Sequence, residues 1–148
     1  MTDIAPHITA FLRQRLGVER AASPHTCDTY AYAFQLLFAF ASQKLGIPPS
    51  ALQIEHIDAP LVLAFLEHLQ SNRSNTPRTR NARLTAVKSF MHFVEYRVPA
   101  ALEQIKCVLA IPMQKTDQRV VDHLNAEECK ALLDAPDPAM RLGIRDRA

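Results

Sequence analysis

The sequence predicts an all-α fold. Three observations carry that prediction. The chain has only three glycines in 148 residues. Its apolar residues recur at three- and four-residue spacing instead of alternating. Its apolar runs open on Ser, Thr, Asp or Asn placed where a helix needs a cap. With 48% hydrophobic residues, the chain has enough apolar material to bury a core.

The first helix is expected over residues 2–16, with Ile4, Ile8, Phe11, Leu12 and Leu16 on one side and Gly17 at its C-terminus. The second opens at "SPHT". There Ser23 caps and Pro24 occupies the first turn, where its missing N–H costs nothing. Cys27, Tyr30, Phe34, Leu37, Phe38, Ala41 and Leu45 continue its apolar face until Gly46 and "IPPS" end it. The third starts at "DAP" with Asp58 as cap and presents Val62, Phe65, Leu66 and Leu69. The fourth opens at "TPRT" with Thr76 as cap and runs to about Tyr96, and a short fifth follows over residues 99–109.

From Ile111 to Val121, "IPMQKTDQRVV" lacks helical periodicity and contains Pro112, which predicts a linker finishing in a short extended piece. A further helix restarts at Asn125, with Glu127 and Glu128 in the first turn, where the helix dipole favours acids. One helix of this length cannot enclose a core of its own, so residues 125–148 read as the opening of a second domain. The expected division is therefore a helical domain over 1–110, a linker over 111–124 and a truncated second domain over 125–148.

Bulk properties exclude several classes. A net charge of +2 is too small to argue for a polyanionic partner from the whole chain. Cys27, Cys107 and Cys129 are odd in number and widely spaced, which fits reduced thiols and neither a disulfide framework nor a metal site. The six histidines show no metal-ligand spacing, and no metal, cofactor or small-molecule substrate is expected. The N-terminus carries an acid and a proline where a secretory signal needs basic residues and then an apolar run. No stretch approaches the ~20 apolar residues that cross a bilayer. A cytoplasmic protein without a membrane partner is expected.

The fourth helix carries the functional signal. Between Ser71 and Lys88 stand five basic side chains and no acidic one. At 100° per residue, Leu84, Val87, Phe90, Met91 and Val94 gather on one side. Arg78, Asn81, Thr85, Lys88, Ser89 and His92 fall on the opposite side. Arg83 flanks the apolar face, and Arg73 and Arg80 lie at or before the first turn. A solvated helix face usually mixes signs, because Glu–Lys pairs four apart support the helix. Here cations crowd the end where the dipole disfavours them, and a phosphate backbone would compensate. Arg and Lys bind phosphate oxygens, while Asn, Thr and Ser reach phosphate or base edges. The second helix offers a companion stripe of His25, Thr29, Tyr32 and Gln35, with Asp28 among them. Read from the helices alone, an ordinary basic solvated face remains the alternative.

In order and spacing, "SPHTCDTYAYAFQLLFAF", "IDAPLVLAFLEHL" and "TPRTRNARLTAVKSFMHFV" resemble the N-terminal core-binding, SAM-like domain of tyrosine recombinases, the phage integrase family. The likeness rests on Ser23, Thr26, Tyr30, Phe34 and Phe38 in the second helix. In the fourth it rests on Thr76, Arg80, Asn81, Arg83, Ala86, Ser89 and Phe90. "LNAEECKALLDA" and the closing Arg145–Asp146 pair resemble the opening of that family's catalytic domain.

The resemblance implies a four-helix bundle, with a short fifth helix, that clamps duplex DNA together with the catalytic domain, its second and fourth helices facing the major groove. It implies other recombinase protomers on paired sites as further partners. The full enzymes cut one strand with a tyrosine and hold it as a 3′-phosphotyrosine, stabilised by fixed cations without a metal. The first catalytic Arg of the family's Gly-Leu-Arg motif would follow Ala148, so no catalytic residue is assigned in this chain and strand cleavage by it alone is not expected. Tyr30, Tyr32 and Tyr96 do not match the family's nucleophile. A helical protein-interaction module and an unrelated helical transcriptional regulator stay open as other readings.

Overall fold

The computed structural model describes residues 2–19, 21–116 and 125–135. Among them every regular element is helical, and the one β-type pairing is an isolated bridge between Asp3 and Gln53. The helices are α1 (Ile4–Ala10), α2 (Pro24–Leu45), α3 (Ala59–Ser71), α4 (Pro77–Val94), α5 (Leu102–Leu109) and α6 (Ala126–Asp134). The chain divides into two units, 1–116 and 117–148, and α1 to α5 belong to the first. The extended piece expected before residue 125 and the Arg145–Asp146 pair lie outside the described residues.

The caps form as the sequence dictates. Ser23 Oγ accepts the Thr26 N–H at 3.2 Å, Asp58 Oδ1 that of Leu61 at 2.8 Å, and Thr76 Oγ1 that of Thr79 at 3.2 Å. Each satisfies a donor that the first turn would otherwise leave unpaired. Asn125 and Glu128 close a reciprocal capping box at the start of α6, with bonds of 2.8 and 2.9 Å. Gly46 takes the left-handed conformation, φ 69°, that terminates α2.

Gly17 behaves differently from the expectation. It is not left-handed, and the first helix does not end there. Beyond Ala10 the helix continues as π-type turns over Phe11–Glu19, and the left-handed residue that follows is Ala21, φ 45°. The wider turns accompany Phe11, which is wholly buried and lies 5.5–6.1 Å ring to ring from Tyr30, Phe34, Phe90 and Phe93. Packing that one ring among four others outweighs regular α geometry.

The core is built around α4. Leu84, Val87, Phe90, Met91 and Val94 are buried, as the helical pattern requires, and Ala86 and Phe93 are buried as well. The second pair lies off the predicted apolar side; the Phe11 ring covers Phe93 at 5.5 Å. Short 3-10 turns at Pro49–Ala51 and Ile54–His56 connect α2 to α3. They also tie down the N-terminus: Ile4 N–H donates to Leu52 O at 3.2 Å and Ile54 N–H to Thr2 O at 2.9 Å.

Candidate nucleic-acid interface

The row on α4 begins at the capped N-terminus. Arg78 and Thr85 are exposed, Lys88 and Ser89 are half-buried, and His92 is exposed. Thr85 Oγ1 donates back to Asn81 O at 2.9 Å, which leaves its lone pairs outward. The row stops being acid-free at its far end. There His92 Nδ1 lies 3.4 Å from Glu95 Oε2, so a carboxylate stands beside the imidazole. That carboxylate makes the far end of the row less attractive to a phosphate than its start.

Arg83 of α4, residues of α2 and the α3–α4 connection build a cationic cluster organised by one ring. The Arg83 guanidinium sits 4.9 Å over the Tyr32 ring and donates through Nη1 to Thr29 O at 3.3 Å. Arg73 Nη2 donates to the Tyr32 hydroxyl at 3.3 Å. Tyr32 is itself 43% exposed, so a single phenol holds two cations at the surface, one by its face and one by its edge. Arg83 Nε is buried without a hydrogen-bond partner, an unsatisfied donor inside the same cluster. His25 is exposed, and its carbonyl accepts the Thr29 hydroxyl at 2.8 Å, which leaves the imidazole at the start of α2. Sequence spacing could not reveal this convergence, because Arg73 and Tyr32 are 41 residues apart.

Two residues grouped with the DNA-contacting set are placed elsewhere. Arg80 is only 7% exposed, so it is not a surface cation. It shares its side of α4 with Leu84 and Val87, four and seven residues on, and a helical wheel places it on the apolar face. Burial holds its pKa below the ordinary guanidinium value, and Nη1 donates to Asn81 Oδ1 at 3.3 Å. Asn81 in turn is engaged with the chain leaving α5. Its Nδ2 donates to Gln114 O at 2.7 Å and its Oδ1 accepts the Gln114 N–H at 2.9 Å. The Gln114 side chain exchanges two further bonds with Gln70 of α3, at 2.9 and 3.0 Å. Gln70 and Gln114 had no sequence signal, being lone amides 44 residues apart.

The structure thus gathers Arg73, Tyr32, Arg83 and Thr29 into one cluster, while Arg78, Thr85, Lys88 and Ser89 form a row on another side of α4. Arg80 is withdrawn into the core and Asn81 is bonded to the exit segment. Such a surface can bind a polyanion through its guanidinium and ammonium groups. Among the described residues no three His, Cys, Asp or Glu side chains converge to hold a metal ion. Among them, too, no helix is long and apolar enough to cross a membrane.

The family model "Phage integrase, N-terminal SAM-like domain" matches residues 8–97, more than half of the chain. The chain is 43% identical over 146 residues to "Putative integrase/recombinase y4rC" of Sinorhizobium fredii (strain NBRC 101917 / NGR234), covering 99% of this chain and 44% of that protein. It is 41% identical over 144 residues to "Putative integrase/recombinase y4rD" of the same organism, covering 97% and 51%. Similarity to "Tyrosine recombinase XerC" of Pelotomaculum thermopropionicum is 35% over 146 residues, covering 96% and 45%. The chain therefore spans about half the length of the curated relatives it matches. No solved structure matches it. The matched segment takes in the capped second, third and fourth helices and the cationic surface they build, and the chain belongs to the phage integrase N-terminal SAM-like domain family.

Proposed function

We propose that residues 1–116 form the duplex-DNA-holding, core-binding unit of a site-specific tyrosine recombinase. The observation that carries this reading is the cluster in which Tyr32 holds Arg73 and Arg83 beside the acid-free start of α4. Phosphate contacts from Arg73, Arg78, Arg83 and Lys88 supply most of the affinity; Ser89, His25 and His92 add hydrogen bonds to backbone or base edges, while Thr85 and Thr29, whose hydroxyls already donate within their helices, accept from base edges. The free N–H groups at the α4 N-terminus favour a phosphate at the same place.

Residues 125–148 are then the opening of the catalytic part, joined by a tether. Cutting and rejoining through a 3′-phosphotyrosine belongs to the whole protein, with other protomers as partners on paired sites and the nucleoid as its place of work. A covalent intermediate conserves the phosphodiester energy, so the strand can be rejoined without another energy source. No tyrosine of this chain is assigned as the nucleophile, and phosphotyrosine formation by the 148-residue chain on a duplex would overturn that assignment.

A mobility-shift titration over a range of salt concentrations tests the reading. Replacing Arg78, Arg83 and Lys88 together by Ala should weaken duplex binding. It should also flatten the dependence of log K on log salt by about 0.9 for each phosphate that is no longer neutralised. Unchanged affinity and slope would remove DNA from the proposal and favour an acidic protein partner.

A further inference from the structure

We propose that residues 112–116 are a strap belonging to the DNA-facing surface, clasped by Asn81 and Gln70 so that Lys115 is presented to the phosphate backbone. The inference rests on the DNA-holding reading above and assigns Asn81 a role other than base readout. The core ends at Ile111, which is 4% exposed, and every residue from Pro112 to Thr116 is exposed. Four hydrogen bonds of 2.7–3.0 Å tie Gln114 of this segment to two helices.

The geometry of those bonds decides what Asn81 can do. Reading an adenine requires a side-chain amide to offer its oxygen and one N–H together. Here Oδ1 already accepts from Gln114 N–H and from Arg80, while Nδ2 donates to Gln114 O. One N–H remains, too little for a bidentate base contact. Asn81 lies between Arg78 and Thr85 on the row, so the strap it binds runs against the row itself. "PMQKT" carries no acid, and Lys115 follows the clasped residue directly. The strap thus adds a cation at the flank of α4 opposite Tyr32, and Asn81 and Gln70 are positioning residues that act through it.

Hydrogen exchange at the Gln114 amide and salt-dependent duplex titrations, both on the 148-residue chain, test the proposal. Asn81→Ala and Gln70→Ala should each speed exchange at Gln114. Each should weaken DNA binding about threefold to fivefold, the scale of one surface ion pair. Lys115→Ala should do the same without changing exchange, and should lower the salt slope by about 0.9. Combined with Asn81→Ala, it should add nothing, because both act on one interaction. Weaker binding by Asn81→Ala alone, with Gln70→Ala and Lys115→Ala unaffected, would overturn the proposal and make Asn81 a direct DNA contact. An unprotected Gln114 amide in the unaltered chain would overturn it outright. No duplex binding by the unaltered chain would overturn the DNA reading and Lys115's part with it, while exchange at Gln114 would still decide the clasp.

Discussion

The two flanks of α4 use polar side chains in opposite ways. Towards α2, the exposed Tyr32 holds the exposed Arg73 by its hydroxyl and the half-buried Arg83 by its ring. Towards the chain leaving α5, Asn81, Gln114 and Gln70 satisfy one another and turn inward on the protein. Both flanks read alike in sequence, as polar residues on a basic helix. A residue type suited to DNA does not establish that DNA is its partner, because an intramolecular partner competes for it, here from 33 to 44 residues away.

The largest expected effect lies where both flanks share a foundation. Phe11 is wholly buried and meets both α2 and α4 through its ring. Phe11→Ala should cost about 3–5 kcal/mol in urea unfolding and disturb both flanks together. A loss below ~1 kcal/mol would mean that the two flanks are supported separately.

Arg80, lying between the flanks, comes next. Arg80→Ala removes buried side-chain stem as well as charge and should cost about 1–3 kcal/mol. Arg80→Met keeps the volume and should be near neutral or stabilising, since the desolvation that depresses this guanidinium's pKa disappears. Duplex affinity and salt slope should match the unaltered chain. A slope lowered as by removal of Arg83 would return Arg80 to the interface. Tyr32→Ala should then act on the outward flank alone, releasing both arginines and weakening duplex binding about tenfold, some 1.4 kcal/mol. Tyr32→Phe keeps the face under Arg83, gives up only the Arg73 bond and should fall between the two. Equal affinities for all three chains would leave the tyrosine with no organising role.

How much of this was legible follows the range of each interaction. Ser23, Asp58, Thr76 and Asn125 were readable as caps because a cap bonds three residues on. Arg80's burial was also readable, since its spacing to Leu84 and Val87 is purely local; its charge alone argues for the surface. Gly46 and Gly17 looked alike, and only the first is left-handed, because the packing of Phe11 carries the helix past the second. The 3-10 turn at Ile54–His56 had no pattern to betray it. The Tyr32 cluster and the Gln114 clasp are products of tertiary approach, and no periodicity within one helix contains them.

The smallest effect separates both flanks from the N-terminal tie, where acid sensitivity is concentrated. His7 is held below its ordinary value of 6.5, first by burial and then by Arg97. Glu55 is held below 4.5: burial alone would raise it, but the Thr2 N–H, its own N–H and the Thr2 hydroxyl outweigh burial. In both cases the unfolded chain binds protons more readily than the folded one between the two pKa values, so stability falls as pH falls. His7's contribution is full above about 6.5 and declines below it. Glu55's is full above about 4.5 and is lost as pH drops through its lowered folded value. Urea midpoints followed against pH should therefore show two shallow declines. His7→Gln should erase the upper and Glu55→Gln the lower. Exchange at Gln114 at about pH 5, corrected for the intrinsic pH dependence of amide exchange, should stay as slow as at about pH 7, because the clasp contains only amides. A clasp that loosened with the upper decline would tie the inward flank to the N-terminus and end the separation drawn between them.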